Sequence, residues 1–197
     1  LVTGVQTCAL PISVSYAGLF DDVGADAWYA PSVDYVKYGR LMYGTGNNLF
    51  QPDAQMTRAM FAQVLYALEG SPSVRGLSCP FADAGGSWYT DAVIWAYHAG
   101  VVAGVSATQF APNEVLTREQ MVTMLYGYAG RDEQLSGSDG ALASYQDQAS
   151  VSGWAREAMA WAVSTGVITG TSTTTLAPQK IGTRAEVATV LMQFCEQ

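Results

Sequence analysis

Residues 88–118 read WYTDAVIWAYHAGVVAGVSATQFAPNEVLTR, and the landmarks of this stretch occur three times in the 197-residue chain. A tryptophan begins each copy, a glycine follows it after 16 residues and a proline after 24 residues. Thr-Arg follows the tryptophan after 29 and 30 residues, and an aromatic-x-Asp triplet precedes it. Identical spacing in several copies is the sequence signature of repeat proteins. The sequence therefore predicts three tandem repeats, at residues 17–70, 78–130 and 142–196.

Each copy has the pattern of a helix, a loop and a second helix. Small and apolar residues recur at helical spacing after the tryptophan, and we assign Trp95 and Trp161 to the core on this pattern. The second helix is expected to begin at Thr-Arg, because residues 117–120 (TREQ) and 183–186 (TRAE) are capping boxes. The first copy reads TRAM at residues 57–60 and lacks the capping glutamate. One helix pair cannot cover its own apolar face, so we expect a mainly α fold with a shared core.

Composition excludes several classes of protein. The chain has nine basic and seventeen acidic residues, a formal charge of -8, and therefore lacks the basic footprint of a nucleic-acid-binding protein. Its longest apolar run, residues 92–105, is too short to span a membrane. The cysteine spacing contains no zinc motif, and no metal or other cofactor is expected. No catalytic motif accompanies the single histidine, His98, so we expect a protein that is not an enzyme.

The first thirteen residues look foreign to the repeats. Residues 2–12 read VTGVQTCALPI and resemble a translated sequencing adaptor, so we exclude residues 1–13 from fold reasoning. On this interpretation a natural N-terminal portion is missing, and with it a signal peptide and an effector domain. Cys8 is then not one of the natural cysteines, and the remaining two, Cys79 and Cys195, could either form a disulfide or remain free.

Two repeated features have more than one explanation. Arg58, Arg118 and Arg184 stand at the first helical position, where a cation opposes the helix macrodipole. Each arginine could pair with a nearby aspartate as a structural clamp between repeats, or it could join free helix amides in an anion site. The repeated tryptophans could likewise pack in the core or stack on a sugar ring.

The full pattern F-x-D, W-Y, G, F-x-P and T-R resembles the S-layer homology domain in three tandem copies, over residues 17–196. The resemblance implies a pseudo-threefold helical spindle that anchors proteins non-covalently to the cell wall of Gram-positive bacteria. It implies an extracellular location and a ligand in the grooves between repeats. That ligand is a secondary cell-wall polysaccharide, often bearing a pyruvate ketal. A self-assembly or adhesion module that binds protein partners is the alternative, and the isolated segment is expected to be monomeric.

The resemblance also implies which residues line the grooves. In each copy they are the early aspartate, the first tryptophan, the loop glycine and the Thr-Arg arginine. They are Asp22, Trp28, Gly44 and Arg58 in copy one, Asp83, Trp88, Gly104 and Arg118 in copy two, and Asp147, Trp154, Gly170 and Arg184 in copy three.

Overall fold

The computed structural model describes residues 18–131 and 135–197, so the adaptor-like stretch and Cys8 lie outside the described residues. The described chain is mainly helical, as predicted, and its β structure consists of isolated bridges. Its α-helices are α1 (Ala30–Tyr38), α2 (Arg58–Leu68), α3 (Thr90–His98), α4 (Arg118–Ala129), α5 (Arg156–Ser164) and α6 (Arg184–Cys195). Short 3₁₀ turns at Asp139–Leu142, Gln148–Ser150 and Gly153–Ala155 precede α5.

Both predicted capping boxes form at the starts of α4 and α6. The Thr183 hydroxyl accepts the amide of Glu186, and the Glu186 carboxylate accepts the amide of Thr183 at 3.1 Å. Thr117 and Gln120 form the same reciprocal pair at α4. At α2 the Thr57 hydroxyl accepts one amide, and the second half of the box is missing, as the sequence predicts. These caps explain the threonine of each Thr-Arg pair, and they leave the arginine to be explained by tertiary contacts.

The first helix of each repeat ends at a residue in the left-handed backbone region. Gly100 after α3 has φ +70° and Gly166 after α5 has φ +78°, which glycine adopts without a steric penalty. After α1 the corresponding residue is Arg40, with φ +58°. A side chain in this region costs about 1 kcal/mol, so the first repeat carries strain that the other two avoid.

The chain forms two compact units. The first contains residues 18–55 and 183–197 of the described chain, and in it α1 packs against α6. Phe20, Val33 and Val36 from the N-terminal part and Leu191 from α6 are buried core residues of this unit. The helix pair therefore joins the first helix of the first repeat to the second helix of the third.

The second unit contains residues 56–182, in which α2 packs against α3 and α4 packs against α5. Trp95 and Trp161 are buried, with 7% and 4% of their surface exposed, which confirms their assignment to the core. In both units the second helix of one repeat packs on the first helix of another. The repeat boundaries and the common core of a threefold spindle stay predictions.

Candidate binding site

A repeated aspartate fixes the loop in front of each F-x-P proline. Asp83 Oδ1 accepts the amide of Phe110 at 2.8 Å, and its Oδ2 accepts the amide of Ala111 at 2.8 Å. Ala111 has φ +59°, a strained value for a residue with a side chain, so these two hydrogen bonds hold an unfavourable loop conformation. The same pairs of bonds join Asp22 to Phe50 and Gln51, and Asp147 to Leu176 and Ala177.

These hydrogen bonds change the acidity of two of the aspartates. The amide of Leu176 is the largest influence on Asp147 and lowers its pKa, against a smaller opposing effect of burial. At Asp83 burial is the largest single influence and raises the pKa, but the amides of Phe110 and Ala111 outweigh it, so the pKa is lowered. Both carboxylates are therefore held in the charged form by the loops they organise.

Each repeated arginine reaches the corresponding loop of another repeat. Arg58 Nε donates to the carbonyl of Phe110 at 2.8 Å and Nη2 to that of Ala103 at 3.2 Å. Its guanidinium carbon lies 4.7 Å from the centre of the Phe110 ring, a cation–π contact. Equivalent bonds join Arg118 to Leu176 and Thr169, and Arg184 to Phe50 and Tyr43.

Arginine and aspartate thus hold opposite sides of the same loop residue. The amide of Phe110 donates to Asp83, and its carbonyl accepts from Arg58. The expected clamp therefore exists, but the arginine and the aspartate both bond to the main chain of the loop and do not form a direct ion pair. Burial lowers the pKa of Arg58, and the nearby Glu114 and Asp83 carboxylates act in the opposite direction.

The site residues are therefore grouped across repeats and not within each copy. The sequence analysis named these residues copy by copy and expected the clamp to act between repeats. In the structure, Arg58 contacts the loop that Asp83 holds, because both bond to Phe110. Its Nη2 also donates to the carbonyl of Ala103, the residue before Gly104. The other two groups combine Arg118 with Asp147 and Gly170, and Arg184 with Asp22 and Gly44.

The amides at the starts of the second helices are already used. The amide of Arg58 donates to Glu114 and that of Ala59 to Pro112, both at 3.0 Å, while Thr57 accepts the third. The same pattern occurs at the starts of α4 and α6. The idea that free helix amides form an anion site is therefore wrong, because neighbouring loop carbonyls satisfy them.

The arginines retain some capacity to donate. Arg58 and Arg184 each use one N–H of Nε and one of Nη2 for the loop carbonyls, which leaves both N–H groups of Nη1 and the second of Nη2. Every fully buried side-chain nitrogen and oxygen of the described residues has a hydrogen-bond partner. Nη1 of these two arginines is therefore not fully buried, and it could donate to a ligand.

The three loop glycines are required by close packing. A Cβ atom on Gly104 would lie 2.5 Å from both the Gln109 carbonyl and the Phe81 ring. On Gly44 it would lie 2.7 Å from the Phe20 ring, and on Gly170 2.6 Å from the Tyr145 ring. These distances are too short for any side chain, so the glycine lets the first aromatic residue of the repeat pack beneath the loop.

The three repeated tryptophans are on the surface. Trp28, Trp88 and Trp154 expose 66%, 60% and 60% of their side chains, so the core-packing explanation is wrong for all three. Trp28 and Trp88 each make an edge-to-face contact with the tyrosine that follows, at 5.3 and 5.2 Å between ring centres. The hydroxyl of Tyr89 in turn lies 3.5 Å from the Asp83 carbonyl, which places Trp88 beside the loop-fixing aspartate.

Two further residues near Gly44 could not be identified from the sequence. Tyr43 provides the carbonyl that Arg184 Nη2 contacts at 2.7 Å, and its ring is exposed. Lys37 Nζ lies 5.5 Å from the Phe20 ring centre and 5.6 Å from that of Tyr43. Neither residue recurs, because the second repeat has Ala103 in place of Tyr43 and Tyr97 in place of Lys37. A search for repeated residues therefore does not find them.

Cys79, Cys195 and His98 do not take part in these sites. Among the described residues neither Cys79 nor Cys195 is part of a disulfide, so of the two possibilities left open by the sequence the structure does not have the disulfide. His98 is exposed at the end of α3, with Nε2 2.8 Å from the Ser78 carbonyl. Among the described residues, no helix has the length and apolar character needed to cross a membrane.

Loops clamped between repeats and tryptophans exposed at equivalent positions define a repeat module with a binding surface. The S-layer homology domain family matches this chain three times, at residues 19–62, 80–122 and 144–188. The chain belongs to this family. Its domains are non-catalytic, bind cell-wall polymers and act as cell-surface anchoring modules, and this chain is such a module.

Relatives share the repeats within much longer proteins. The chain is 29% identical, over its whole length, to 18% of the exoglucanase XynX of Acetivibrio thermocellus. It is 27% identical, again over its whole length, to 24% of an S-layer protein of Bacillus thuringiensis subsp. finitimus. An endoglucanase of Bacillus sp. (strain KSM-635) is 31% identical over 91% of this chain and 19% of the relative. The chain thus spans less than a quarter of the length of these curated relatives.

Proposed function

We propose that this module binds a secondary cell-wall polysaccharide, bearing anionic pyruvylated sugars, and thereby holds its protein in the extracellular cell wall. The observation that carries the proposal is the exposure of Trp28, Trp88 and Trp154, between 60% and 66%, at one position of each repeat. A single exposed aromatic residue is ordinary on a protein surface, but an exposed tryptophan at the same position of all three repeats suits a surface that meets a ligand. The flat face of an indole suits the C–H face of a sugar ring, and its N–H can donate to a hydroxyl.

The arginines supply the complement to an anionic sugar. The protein has a net charge of -8, so attraction to an acidic polymer must come from local positive groups. The Nη1 groups of Arg58 and Arg184, which are not fully buried, could donate to the carboxylate of a pyruvate ketal. On this proposal the repeated arginines and tryptophans contact the sugar, whereas the repeated aspartates and glycines shape the loops.

Several weak sites on one module suit a polymer that repeats its sugar. Simultaneous binding at two or three sites raises the effective concentration at each, so the polymer is held more tightly than any one sugar. We further propose that the bound module carries a larger surface protein or enzyme and performs no chemistry itself. Support comes from its relatives, among which are an S-layer protein and two glycosidases that it matches only over a minor part.

Co-sedimentation with purified cell walls tests the proposal. We expect the protein to sediment with intact walls and to stay in solution when the secondary polymer has been chemically stripped. A variant with alanine at Trp28, Trp88 and Trp154 should lose sedimentation while keeping its circular dichroism spectrum, because these side chains are exposed. Tyr38→Ala, which removes another exposed aromatic residue, is the matched control and should sediment like the original protein. Equal binding to stripped peptidoglycan would contradict the proposal.

Light scattering separates anchoring from self-assembly. We expect the protein without polysaccharide to be monomeric at concentrations where it sediments with walls. Concentration-dependent growth into oligomers, abolished by the same triple tryptophan variant, would instead favour the protein-binding alternative.

A further inference from the structure

The three arginine sites carry different charges, and the difference comes from positions outside the repeated motif. Twenty-six residues after the first tryptophan, the repeats have Ala54, Glu114 and Lys180. The carbonyl of each of these residues accepts the amide of a repeated arginine, at distances of 2.9 to 3.0 Å. The chain therefore places a neutral, an acidic and a basic residue in equivalent contact with its three arginine sites.

Glu114 makes the Arg58 site the more acidic one. Its carbonyl lies 3.0 Å from the Arg58 amide, at the start of α2, and its side chain is exposed. Burial lowers the pKa of Arg58. The negative charges of Glu114 and, to a smaller extent, Asp83 act on the guanidinium in the opposite direction and raise it. An approaching anion would meet a guanidinium whose charge these two acids already offset.

The Arg184 site is the more basic one. Burial lowers the pKa of Arg184, and Asp22 is the acid that opposes this effect. Lys37 adds a second cation, because its Nζ lies 5.5 Å from the Phe20 ring, on which Gly44 packs. The corresponding residue in the second repeat is Tyr97, which contacts Phe81 edge-on at 5.4 Å. Asp21 lies in the same loop region, and its Oδ1 accepts the Asn48 side-chain amide at 2.7 Å.

The geometry points to a division of labour between sites: the Arg184 site, with Lys37, takes an anionic sugar, and the Arg58 site, with Glu114, takes an uncharged sugar. This inference rests on the proposed function, since it assigns parts of one polysaccharide to individual sites. It names Lys37 and Glu114 as residues that determine specificity. A module built in this way binds best to a polymer that contains both charged and uncharged sugars.

Site-resolved NMR titration with a matched pair of ligands tests the inference. The ligands are a methyl glycoside bearing a pyruvate ketal and the methyl ester of the same ketal, which differ in charge. The backbone amides of Gly44 and Gly104 report on the two sites, because each follows a residue whose carbonyl binds the arginine. We expect the acid to bind more tightly at Gly44 than at Gly104, and the ester to bind equally at both.

Two variants test which residues make the acid bind more tightly at Gly44 than at Gly104. Lys37→Gln should weaken acid binding at Gly44 about threefold, the size expected for a partly exposed charge pair, and leave the ester unaffected. Glu114→Lys, which copies Lys180 of the third repeat, should strengthen acid binding at Gly104 by about threefold or more. Lys37→Arg should retain the original affinity, and Glu196→Gln, a charge change at the end of α6, should affect neither site.

The outcomes distinguish this inference from the proposed function. Equal binding of acid and ester at Gly44, or no effect of Lys37→Gln, would overturn the division of labour. If neither ligand shifts either amide while the protein still sediments with intact walls, the division is wrong and anchoring stands. If the protein does not sediment with intact walls, the proposed function fails and the inference falls with it.

Discussion

Replacing Arg184 by alanine tests whether the repeated arginines hold the fold together. Its Nε donates to the Phe50 carbonyl and its Nη2 to the Tyr43 carbonyl, both at 2.7 Å. The guanidinium also lies 4.5 Å from the centre of the Phe50 ring. Hydrogen bonds from a charged donor contribute about 1.5–3 kcal/mol each, and a cation–π contact adds about 0.5–1 kcal/mol. Ordering the arginine side chain opposes this by about 2 kcal/mol.

We therefore expect Arg184→Ala to lower the free energy of unfolding by about 3 kcal/mol, a large part of the stability of a protein of this size. Urea unfolding followed by circular dichroism measures the change. Arg184→Lys should lose about half as much, because an ammonium keeps the charge but cannot span both carbonyls. Arg75→Ala removes an exposed arginine in a linker and is the control, with a change below about 0.5 kcal/mol. A loss for Arg184→Ala no larger than that of the control would refute the clamp.

Variants at three further positions probe the loops and helix ends. Arg40→Gly should raise the free energy of unfolding by about 1 kcal/mol because φ is +58° there, and Arg40→Ala, which keeps a Cβ, should give no such gain. The lowered pKa of Asp147 stabilises the fold above the unfolded-state pKa, and this contribution is lost as the pH falls through the folded-state value. Asp147→Asn should therefore be less stable at pH 7 and show a smaller further loss below about pH 4 in thermal melts. Glu119→Ala should cost about 2–3 kcal/mol in urea unfolding, because the buried carboxylate accepts three hydrogen bonds from Ser152 and Gln179, and a loss below 0.5 kcal/mol would contradict this.

Features fixed by neighbouring residues could be predicted from the sequence. The capping boxes at Thr117 and Thr183 join residues three positions apart, and the left-handed ends at Gly100 and Gly166 need only a glycine after a helix. Their energetics are local, so the sequence pattern is sufficient to identify them. The mainly helical class followed from the same short-range patterns.

Partners distant in the sequence could not be predicted. Arg184 bonds to Phe50, 134 residues away, and nothing in either segment specifies that the arginine of one repeat meets the loop of another. The sequence showed that Arg58 and Asp83 belong to repeated motifs, but a motif present in three copies permits grouping within a copy or across copies. Lys37 and Glu114 could not be identified from the sequence for the opposite reason, because they differ between copies and belong to no repeated motif.

Repetition alone cannot distinguish a residue that builds a fold from one that binds a ligand. Arg58 and Trp88 recur with equal regularity, yet the arginine is buried between loop carbonyls and the tryptophan exposes 60% of its side chain. The arginine has a sufficient reason to recur in the loop it clamps, so its presence in all three repeats is weak support for ligand contact. The exposed tryptophan clamps no loop, and burying its ring in the core would have contributed more to stability. Loss of binding in an arginine variant would therefore report on the fold first, whereas loss in a tryptophan variant that remains folded would report on the ligand.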